Sequence, residues 1–423
     1  MKTTDLSREI EEKIKKIIDR QVEHGIYFDL KTAQELAKEL NVNLIFQKDR
    51  LKKIGITDPD SKEQAIKQLL AAEWKPKILN RAGEPVLNKT VYRIDKDPRL
   101  KEIQRYYKDR KLLELLKTNE SSFIKKCRLD SRIYPKIDPD GANTHRMVTS
   151  EPNITQLPRN MRNLLIAPKG KELISVDAKS LELTMLGFYL IPFDQGKYAD
   201  LVDKTDIHEV YRGKLALDSR DDSKIIIYGI LYGRNPTAIG IDIYKGQQFS
   251  HEQLKLDYKK FKNKEYISLD KKFYIEVSDQ ILKAAQFGKH VIDKFYEETP
   301  GLKNLKEAIY SKKALRAIDG RELNVRSPYL ALNTLLQSAG AISMKFIQIG
   351  LEERFSQIFQ YPQQYAFTGN FHDEILIEID PRLKHDIEKI TEETFIQRSK
   401  LLMAKALHGK FSDSIRPIKG KFK

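Results

Sequence analysis

Apolar residues recur at helical spacing along the first 75 residues of the chain. Two sets follow a period near 3.6 residues: Ile10, Ile14, Ile17 and Ile18, then Ala33, Leu36, Ala37 and Leu40. The pattern predicts helices over residues 5 to about 75, and a plain helical hairpin would satisfy it equally well.

Residues 76–96 interrupt this pattern with Pro76, Gly83 and Pro85, which predicts a loop or an extended arm. A very basic helical stretch follows from Pro98 to Lys126. Its charge fits a solvated helix face and a phosphate-contacting face equally well.

The apolar pattern changes to β-type in the middle of the chain. LISVDA predicts a short strand that ends in an acid, and KSLELTMLGFYL predicts a helix directly after it. Further helices are predicted over 201–240, 285–317 and Leu330–Phe355. Near the C-terminus, QYAFTGNF and EILIEI predict a hairpin with His372, Asp373 and Glu374 at its bend.

Charge is the first clue to function. The chain of 423 residues has 76 Lys and Arg against 60 Asp and Glu, a net charge of +16 and a pI near 9.4. We therefore expect a polyanionic partner, nucleic acid before an anionic membrane surface. The single cysteine, Cys127, and the absence of a secretion signal or membrane-length apolar run predict a soluble protein of a reducing, cytoplasm-type compartment.

Two acids stand where predicted strands end, Asp177 and Asp373. Such a pair can hold two divalent cations about 4 Å apart, an arrangement that serves phosphoryl transfer. Each acid taken singly is more often an ordinary turn residue, so the pair alone is weak evidence.

RDDSKIIIYGILYGR places four functional side chains on one slowly winding helical stripe: Arg220, Lys224, Tyr228 and Tyr232. A basic start and an aromatic end suit a ligand with phosphates and a stackable base. Gly229 and Gly233 beside the tyrosines are interpreted as leaving room for a flat ligand. Taken alone, a surface helix with a half-buried aromatic stripe is slightly favoured. No Walker-type phosphate loop is present, so a helicase-type ATPase is not supported.

The order of segments resembles the polymerase module of family A DNA polymerases, and within it most closely the replicative polymerases of short-tailed lytic bacteriophages. The resemblance covers about residues 140–380 and extends more weakly through GIYFD and AEWKPK. The segments that carry it, in order, are THRMVTSEPNITQLP, VDAKSLEL with FDQGKYAD and DIH, RDDSKIIIYGILYG, DGRELNVRSPYLALNTLLQSAGA and HDE.

This resemblance implies an α+β right-hand fold. The expected parts are a helical thumb and N-terminal region over 1–130, an antiparallel-sheet palm over 131–200 and 320–423, and helical fingers over 201–319. Because the thumb-entry sequence GIYFD begins at residue 25, we expect no 3′–5′ exonuclease domain in this chain. The thumb region also has no long insertion of the kind that recruits thioredoxin, so thioredoxin-dependent processivity is not expected.

The implied activity is template-directed addition of deoxynucleotides to a primer, with Asp177, Asp373 and the Ala178 carbonyl holding two Mg²⁺ ions. Arg220, Lys224 and His208 would bind the triphosphate, with Lys224 donating a proton to the departing pyrophosphate. Glu182 would be a steric gate against ribonucleotides, Tyr228 would allow dideoxynucleotides to be accepted, and Tyr232 would stack near the template base. Minor-groove contacts would come from Arg146, Asn333, Gln337 and His372. Glu374 would be a helper acid near the metals.

The expected partners are primer-template DNA and deoxynucleoside triphosphates, with no membrane and a monomeric enzyme. A separate exonuclease, helicase or primase is left open. The setting implied is phage or mobile-element DNA replication, in the bacterial host cytoplasm if the chain is phage-encoded.

Two positions and one segment depart from the family pattern. Thr184 follows Glu-Leu where Arg is frequent, and His145 replaces the usual Gly before Arg146. The Lys- and Tyr-rich stretch 241–284 has no close match in the phage relatives, so it is either an extra fingers element that grips DNA or a solvated insertion.

Two other functions compete with a DNA polymerase. A single-subunit RNA polymerase is disfavoured because Glu182 would block ribonucleotides and because HDE ends in Glu. A non-catalytic, basic DNA-binding or scaffold protein would bind DNA without Mg²⁺ and with steep salt dependence.

Overall fold

The fold is that of a computed structural model, which describes residues 3–244, 266–269, 272–311, 314–325 and 327–423. The larger helices and two short ones are α1 Thr3–His24, α2 Leu30–Lys53, α3 Lys62–Ala71, α4 Lys89–Ile94, α5 Pro98–Leu113, α6 Phe123–Lys126, α7 Leu181–Asp194, α8 Lys197–Lys204, α9 Ile207–Lys214, α10 Arg220–Leu231, α11 Pro236–Ile243, α12 Asp279–Glu298, α13 Leu302–Tyr310, α14 Ala331–Ile358 and α15 Lys384–Ala406.

The strands are short except for three of those in the central sheet. They are β1 Ile26–Phe28, β2 Ile78–Asn80, β3 Arg132–Ile133, β4 Lys136–Asp138, β5 Val148–Ser150, β6 Leu165–Ile166, β7 Glu172–Ala178, β8 Tyr266–Ser268, β9 Phe273–Glu276, β10 Leu315–Arg316, β11 Glu322–Leu323, β12 Tyr365–Phe371, β13 Glu374–Ile379 and β14 Gly420–Phe422.

The chain divides into two compact units. Unit 1 comprises Met1–Thr32, Glu120–Val210 and Glu298–Lys423, and unit 2 comprises Ala33–Asn119 and Tyr211–Glu297. Each unit is therefore assembled from stretches that lie far apart in the sequence.

Unit 1 is organised around an antiparallel sheet with the strand order β12-β13-β7-β14. The long helix α14 packs against α1, α7 and α15. Because α14 is apolar on nearly every side, most of its length is buried. Ile10, Ile14 and Ile18, the predicted apolar face of α1, are buried as expected.

The predicted strand, turn and helix around Asp177 are confirmed as β7 and α7. The C-terminal hairpin is likewise confirmed as β12 and β13, with a two-residue turn at His372 and Asp373. The helices predicted over 201–240 are confirmed as the end of α8 followed by α9, α10 and α11. Of the stretch 241–284, residues 245–265, 270 and 271 lie outside the described part. GIYFD contributes a strand, β1, which pairs with β3 and β6.

Unit 2 brings helices from both of its segments together with a small antiparallel sheet in the order β2-β9-β8. Residues 76–96 are more ordered than the expected loop, because they contain β2 and α4. The Asn88 side chain caps α4 by accepting from two backbone N–H groups. The indole of Trp74 is buried and donates to Asp95.

Helices α11 and α12 approach each other closely because both carry a glycine at the contact. A Cβ at Gly240 would lie 1.7 Å from the carbonyl oxygen of Ala284, and a Cβ at Gly288 would lie 2.1 Å from that of Pro236. Both values are far below any allowed contact. Among the described residues, no helix is long and apolar enough to span a membrane.

Gly240→Ala should therefore destabilise the protein, since the methyl group can be accommodated only by separating α11 from α12. We expect the free energy of unfolding in urea to fall by about 3 kcal/mol. Gly213→Ala on α9 is the matched control, because its Cβ would meet no heavy atom within 4 Å. Equal stability of the two variants would contradict the close packing of the helices.

Candidate active site

Asp177 and Asp373 come together through the pairing of β7 with β13. Asp177 lies opposite Glu374 in the register of these strands, and Asp373 immediately precedes Glu374 in the hairpin turn. The backbone N–H of Ala178 donates to the carbonyl oxygen of Asp373 over 2.9 Å. The two predicted metal ligands are thus neighbours, although nearly two hundred residues separate them in the sequence.

The surroundings of Asp373 disfavour its ionised form. Burial raises the pKa of Asp373 to about 7, and the carboxylates of Glu182 and Asp177 act in the same direction, while Arg146 opposes them. A group of acids held this close has a surplus of negative charge that a cation would relieve.

Basic side chains surround the acids. Arg146 lies 3.5 Å from Glu182 and 3.8 Å from Asp373. Lys423 Nζ lies 2.8 Å from Asp177 Oδ2 and 3.4 Å from Glu374 Oε2. No local motif marks Lys423, because the pairing of strand β14 with β7 brings it to the site from the end of the chain.

Glu374 is buried and also paired with Arg162, whose guanidinium is 3.0 Å away. The same guanidinium covers the ring of Phe371, 4.4 Å from its centroid. Arg162 was not among the predicted site residues, since a single Arg in a polar loop carries no signal of its own.

The donor set fits a hard divalent cation. Carboxylate and carbonyl oxygens are the ligands that Mg²⁺ prefers, and both Asp177 and Asp373 present carboxylates. Within the described residues, no group of three or more His, Cys, Asp or Glu side chains is arranged to hold a metal. A cation here would therefore depend on the two aspartates, backbone oxygen and substrate or water for its ligands.

Glu182 is held in the first turn of α7, next to the acids. The residue before this helix, Ser180, has φ +51, which turns the chain sharply after β7. Thr184, which replaces the frequent Arg, is buried, and its hydroxyl donates back to the carbonyl of Ser180 over 3.2 Å. Thr184 therefore helps to hold the turn between β7 and α7.

His145 adopts the left-handed conformation, with φ +57, at the position where the family usually has Gly. Its Nδ1 lies 2.7 Å from an oxygen of Asp140. Asp140 in turn lies 3.6 Å from both Arg321 and Lys345. An ion-pair network thus fixes the loop that carries Arg146.

The same network continues into the core of unit 1. Lys345 is 1% exposed and pairs with Glu11 over 2.7 Å, and Arg321 pairs with both Glu11 and Asp319. Buried charges of this kind depend strongly on their partners. Sequence patterns did not indicate this cluster, because its members come from four distant segments.

Asn333 and Gln337 lie one helical turn apart on α14, as predicted. The Asn333 side-chain oxygen is buried and accepts no hydrogen bond from the described part of the chain.

His372 has φ +57 in the hairpin turn, and partial desolvation together with Arg146 and Arg162 lowers its pKa. His208 lies on α9 in unit 1 and is 6% exposed.

The predicted basic and aromatic stripe lies in unit 2. Arg220, Lys224 and Tyr228 are on α10, whose first turn is capped by Ser219. Lys224 lies 3.6 Å from Asp221. Tyr232 follows the helix end and stacks with Tyr228, with 6.1 Å between the ring centroids.

One interpretation of this segment is wrong. Gly229 does not leave room for a ligand, because Ile239 fills that space and its Cδ1 would lie 2.9 Å from a Cβ at residue 229. Gly233 has φ +65 and lets the chain leave the helix. Both glycines therefore serve the packing and termination of α10.

The sequence matches the family model "DNA polymerase family A" over residues 2–410. This chain belongs to that family. The match includes Asp177, Glu182, Asp373 and Glu374 and most of both units, and it ends before Lys423.

Phage and bacterial polymerases are among its relatives. The chain is 27% identical over 346 residues to the DNA-directed DNA polymerase of Enterobacteria phage T3, covering 76% of this chain and 46% of the phage protein. It is 27% identical over 349 residues to that of Escherichia phage T7, with the same coverage. This family A chain thus spans about half the length of these curated relatives.

The fold also matches a solved family structure. The polymerase domain of Pol1 from M. smegmatis, in complex with DNA primer-template and dNTP, superposes with a TM-score of 0.72 at 16% identity, covering 97% of this chain and 69% of that one. The right-hand polymerase fold predicted from sequence is confirmed. The family match also leaves no segment of domain size in this chain outside it.

The raised pKa of Asp373 predicts a measurable pH dependence in metal-free protein. Because the folded carboxyl holds its proton more tightly than the unfolded one, stability contributed by this group is lost as pH rises from about 4 to 7. Asp373→Asn has no carboxyl at this position, so its stability does not fall over this pH range through this group. In EDTA, the variant should gain stability relative to wild type between pH 5 and pH 8, by on the order of 2–4 kcal/mol.

Thermal or urea unfolding at several pH values measures this difference directly. Parallel stability profiles for the two proteins would show that the Asp373 carboxyl titrates normally in the folded protein.

Proposed function

We propose that this chain is a template-directed DNA polymerase that adds deoxynucleotides to the 3′ end of a primer. The observation that carries the proposal is the juxtaposition of Asp177 and Asp373 by the β7–β13 register, within a member of this family. The net charge of +16 supports binding to a polyanion. A scaffold protein would gain nothing from half-buried, mutually repelling carboxylates.

The transfer step would occur at the two aspartates. Two bound Mg²⁺ ions would lower the pKa of the primer 3′-hydroxyl and neutralise charge that develops on the phosphate oxygens. Asp177, Asp373 and the carbonyl of Ala178 would hold them. The primer oxygen forms a bond to the α-phosphorus, the bond to the bridging oxygen breaks, and pyrophosphate leaves.

Three basic side chains are assigned to the triphosphate: Arg220, Lys224 and His208. An Arg at the start of α10 can take phosphate oxygens in a bidentate manner, and the capped helix start adds backbone N–H groups. Lys224 can also transfer a proton to the departing pyrophosphate, because an ammonium is both a cation and an acid.

Sugar recognition is assigned to Glu182 and Tyr228. The carboxylate of Glu182 is held beside Arg146 and is bulky enough to leave no space for a 2′-hydroxyl. Tyr228 stands where the family has either Phe or Tyr, and we expect the Tyr form to accept dideoxynucleotides as well. Tyr232 would stack near the template base.

The primer-template is assigned to Arg146, Asn333, Gln337 and His372. The minor groove offers similar acceptors for every base pair, which suits an enzyme that copies any sequence. Glu374, held by Arg162 and Lys423, would assist near the metals without being an obligatory ligand.

The proposed parts are a thumb and N-terminal region over 1–130, a palm over 131–200 and 320–423, and fingers over 201–319. The substrates are primer-template DNA and deoxynucleoside triphosphates, and the enzyme acts as a monomer. Similarity to phage polymerases supports replication of phage or mobile-element DNA in a bacterial host cytoplasm, alongside any separate exonuclease, helicase or primase.

Primer extension with Mg²⁺ and deoxynucleotides is the direct test. Asp177→Ala and Asp373→Ala should each lower the rate roughly a thousandfold or more, because each removes a ligand of the charge-stabilising ions. Glu172→Ala is the matched control, since it removes a carboxylate from the same strand at its far end. Extension by all three variants at the wild-type rate would refute the proposal.

Nucleotide choice separates DNA synthesis from RNA synthesis. Wild type should incorporate a single deoxynucleotide far more readily than the matching ribonucleotide. Glu182→Ala should narrow that preference by roughly 10–100-fold, because the blocked space under the sugar opens. A wild-type preference for ribonucleotides would favour the RNA polymerase alternative.

A further inference from the structure

Lys423 lies at the acidic site, although the proposed reaction gives it no role. Strand β14 pairs with β7, and the backbone N–H of Lys423 donates to the carbonyl of Ser175 over 3.1 Å. This pairing anchors the Lys423 backbone beside the strand that ends next to Asp177. The match to the family model ends at residue 410, so that match says nothing about this side chain.

The strand register turns the side chain of Lys423 toward the acids. Side chains two residues apart on a strand share a face, and paired residues of neighbouring strands do so as well. Lys423 follows Lys421 by two positions, and Lys421 is paired with Asp177. Asp177 is in turn paired with Glu374. All four side chains therefore belong to one face of the sheet.

The ammonium group of Lys423 bridges two carboxylates. Its Nζ lies 2.8 Å from Asp177 Oδ2 and 3.4 Å from Glu374 Oε2. Glu374 has a second cation in Arg162, whose guanidinium is 3.0 Å away. In the part of the chain that the structure describes, Lys423 is the one basic side chain in an ion pair with Asp177. The charge of Asp177 therefore depends on Lys423 more than the charge of Glu374 does.

This ammonium group competes with the proposed metal ions. A divalent ion bound by Asp177 would share that carboxylate with the ammonium, and like charges so close together repel one another. The ammonium also contacts Oδ2 of Asp177, one of the oxygens available to the ion. Both effects lower the affinity of the site for the ion as long as Lys423 stays in place.

The surroundings of Lys423 allow its ammonium to move away from Asp177. The side chain is 39% exposed, and its four-carbon stem is flexible. A cavity of about 160 Å³ adjoins it, lined in part by Ser175, Phe371 and Glu374. Because Glu374 is already 3.4 Å from the ammonium, the group can keep one ion pair while it leaves Asp177.

We propose that Lys423 is an exchangeable counter-ion of the metal site. In the metal-free protein its ammonium neutralises Asp177, and a divalent ion must displace it toward Glu374 in order to bind. Lys423 thereby sets the concentration of divalent ion that the enzyme requires. The inference rests on the proposed polymerase function, because that function places the ions at Asp177 and Asp373.

Metal binding to the protein alone tests this competition without nucleotide addition. Mn²⁺ is titrated at fixed pH and ionic strength into protein that holds no DNA and no nucleotide, and the free ion is measured by electron paramagnetic resonance. Lys423→Met removes the charge and keeps an unbranched side chain. Its Mn²⁺ affinity should exceed that of wild type about tenfold or more, since repulsion and competition for Oδ2 are both removed.

Three further variants separate direct contact from general effects. Lys423→Arg keeps a cation beside Asp177, so its Mn²⁺ affinity should stay within about threefold of the wild-type value. Lys421→Met removes the same charge from the same face of β14 at an exposed residue, and solvent screening should limit its effect to about threefold. Lys423→Met combined with Asp177→Ala should show no gain, which assigns the gain to this carboxylate.

Melting temperature gives a second readout on the same proteins. Mn²⁺ at a subsaturating concentration should raise the melting temperature of Lys423→Met more than that of wild type, because stabilisation by a bound ion follows its affinity. Lys421→Met should respond as wild type does. In primer extension, Lys423→Met should reach its half-maximal rate at an Mg²⁺ concentration several-fold lower than wild type requires.

Equal Mn²⁺ affinities of wild type and Lys423→Met would overturn the proposal. So would a gain that Lys421→Met or Lys423→Arg shares, or one that persists without the Asp177 carboxylate. Tighter Mn²⁺ binding by Lys423→Met without primer extension by wild type would refute the polymerase and keep the counter-ion. Normal extension by wild type with equal affinities would do the reverse.

Discussion

The register between β7 and β13 is the constraint on which the rest of the site depends. Side chains alternate along a strand, so a slip of one residue would turn Asp177 from the acidic cluster to the opposite face of the sheet. In this register Ile174 pairs with Ile377 and Val176 pairs with Ile375, and all four side chains are buried. Packing in the core therefore determines where the carboxylate of Asp177 lies at the end of β7.

The cost of that placement is electrostatic. Burial raises the pKa of Asp373, and repulsion from the carboxylates of Glu182 and Asp177 raises it further. Arg146, Arg162 and Lys423 compensate in part, each supplied by a different element. A site whose acids repel one another without a cation, and which has basic groups beside them, is suited to bind metal and a polyphosphate together.

Local features of the fold could be predicted from the sequence, whereas long-range pairings could not. The β7–α7 turn and the β12–β13 hairpin depend on residues close in sequence, so alternation and turn chemistry were sufficient. Lys423 lies beside Asp177 because the edge strand β14 pairs with β7. Strand β2 pairs with β9 although nearly two hundred residues separate them in the sequence. Gly229 was misinterpreted although Ile239 is close in sequence, because their contact depends on how the next helix packs against α10.

The most direct test of this account is to locate divalent ions in crystals of the protein with dideoxy-terminated primer-template and the next nucleotide. Mn²⁺, identified by anomalous scattering, should be bound by the carboxylates of both Asp177 and Asp373. Peaks that are absent from these two side chains while nucleotide is bound would contradict the central claim that the β7–β13 register builds the metal site.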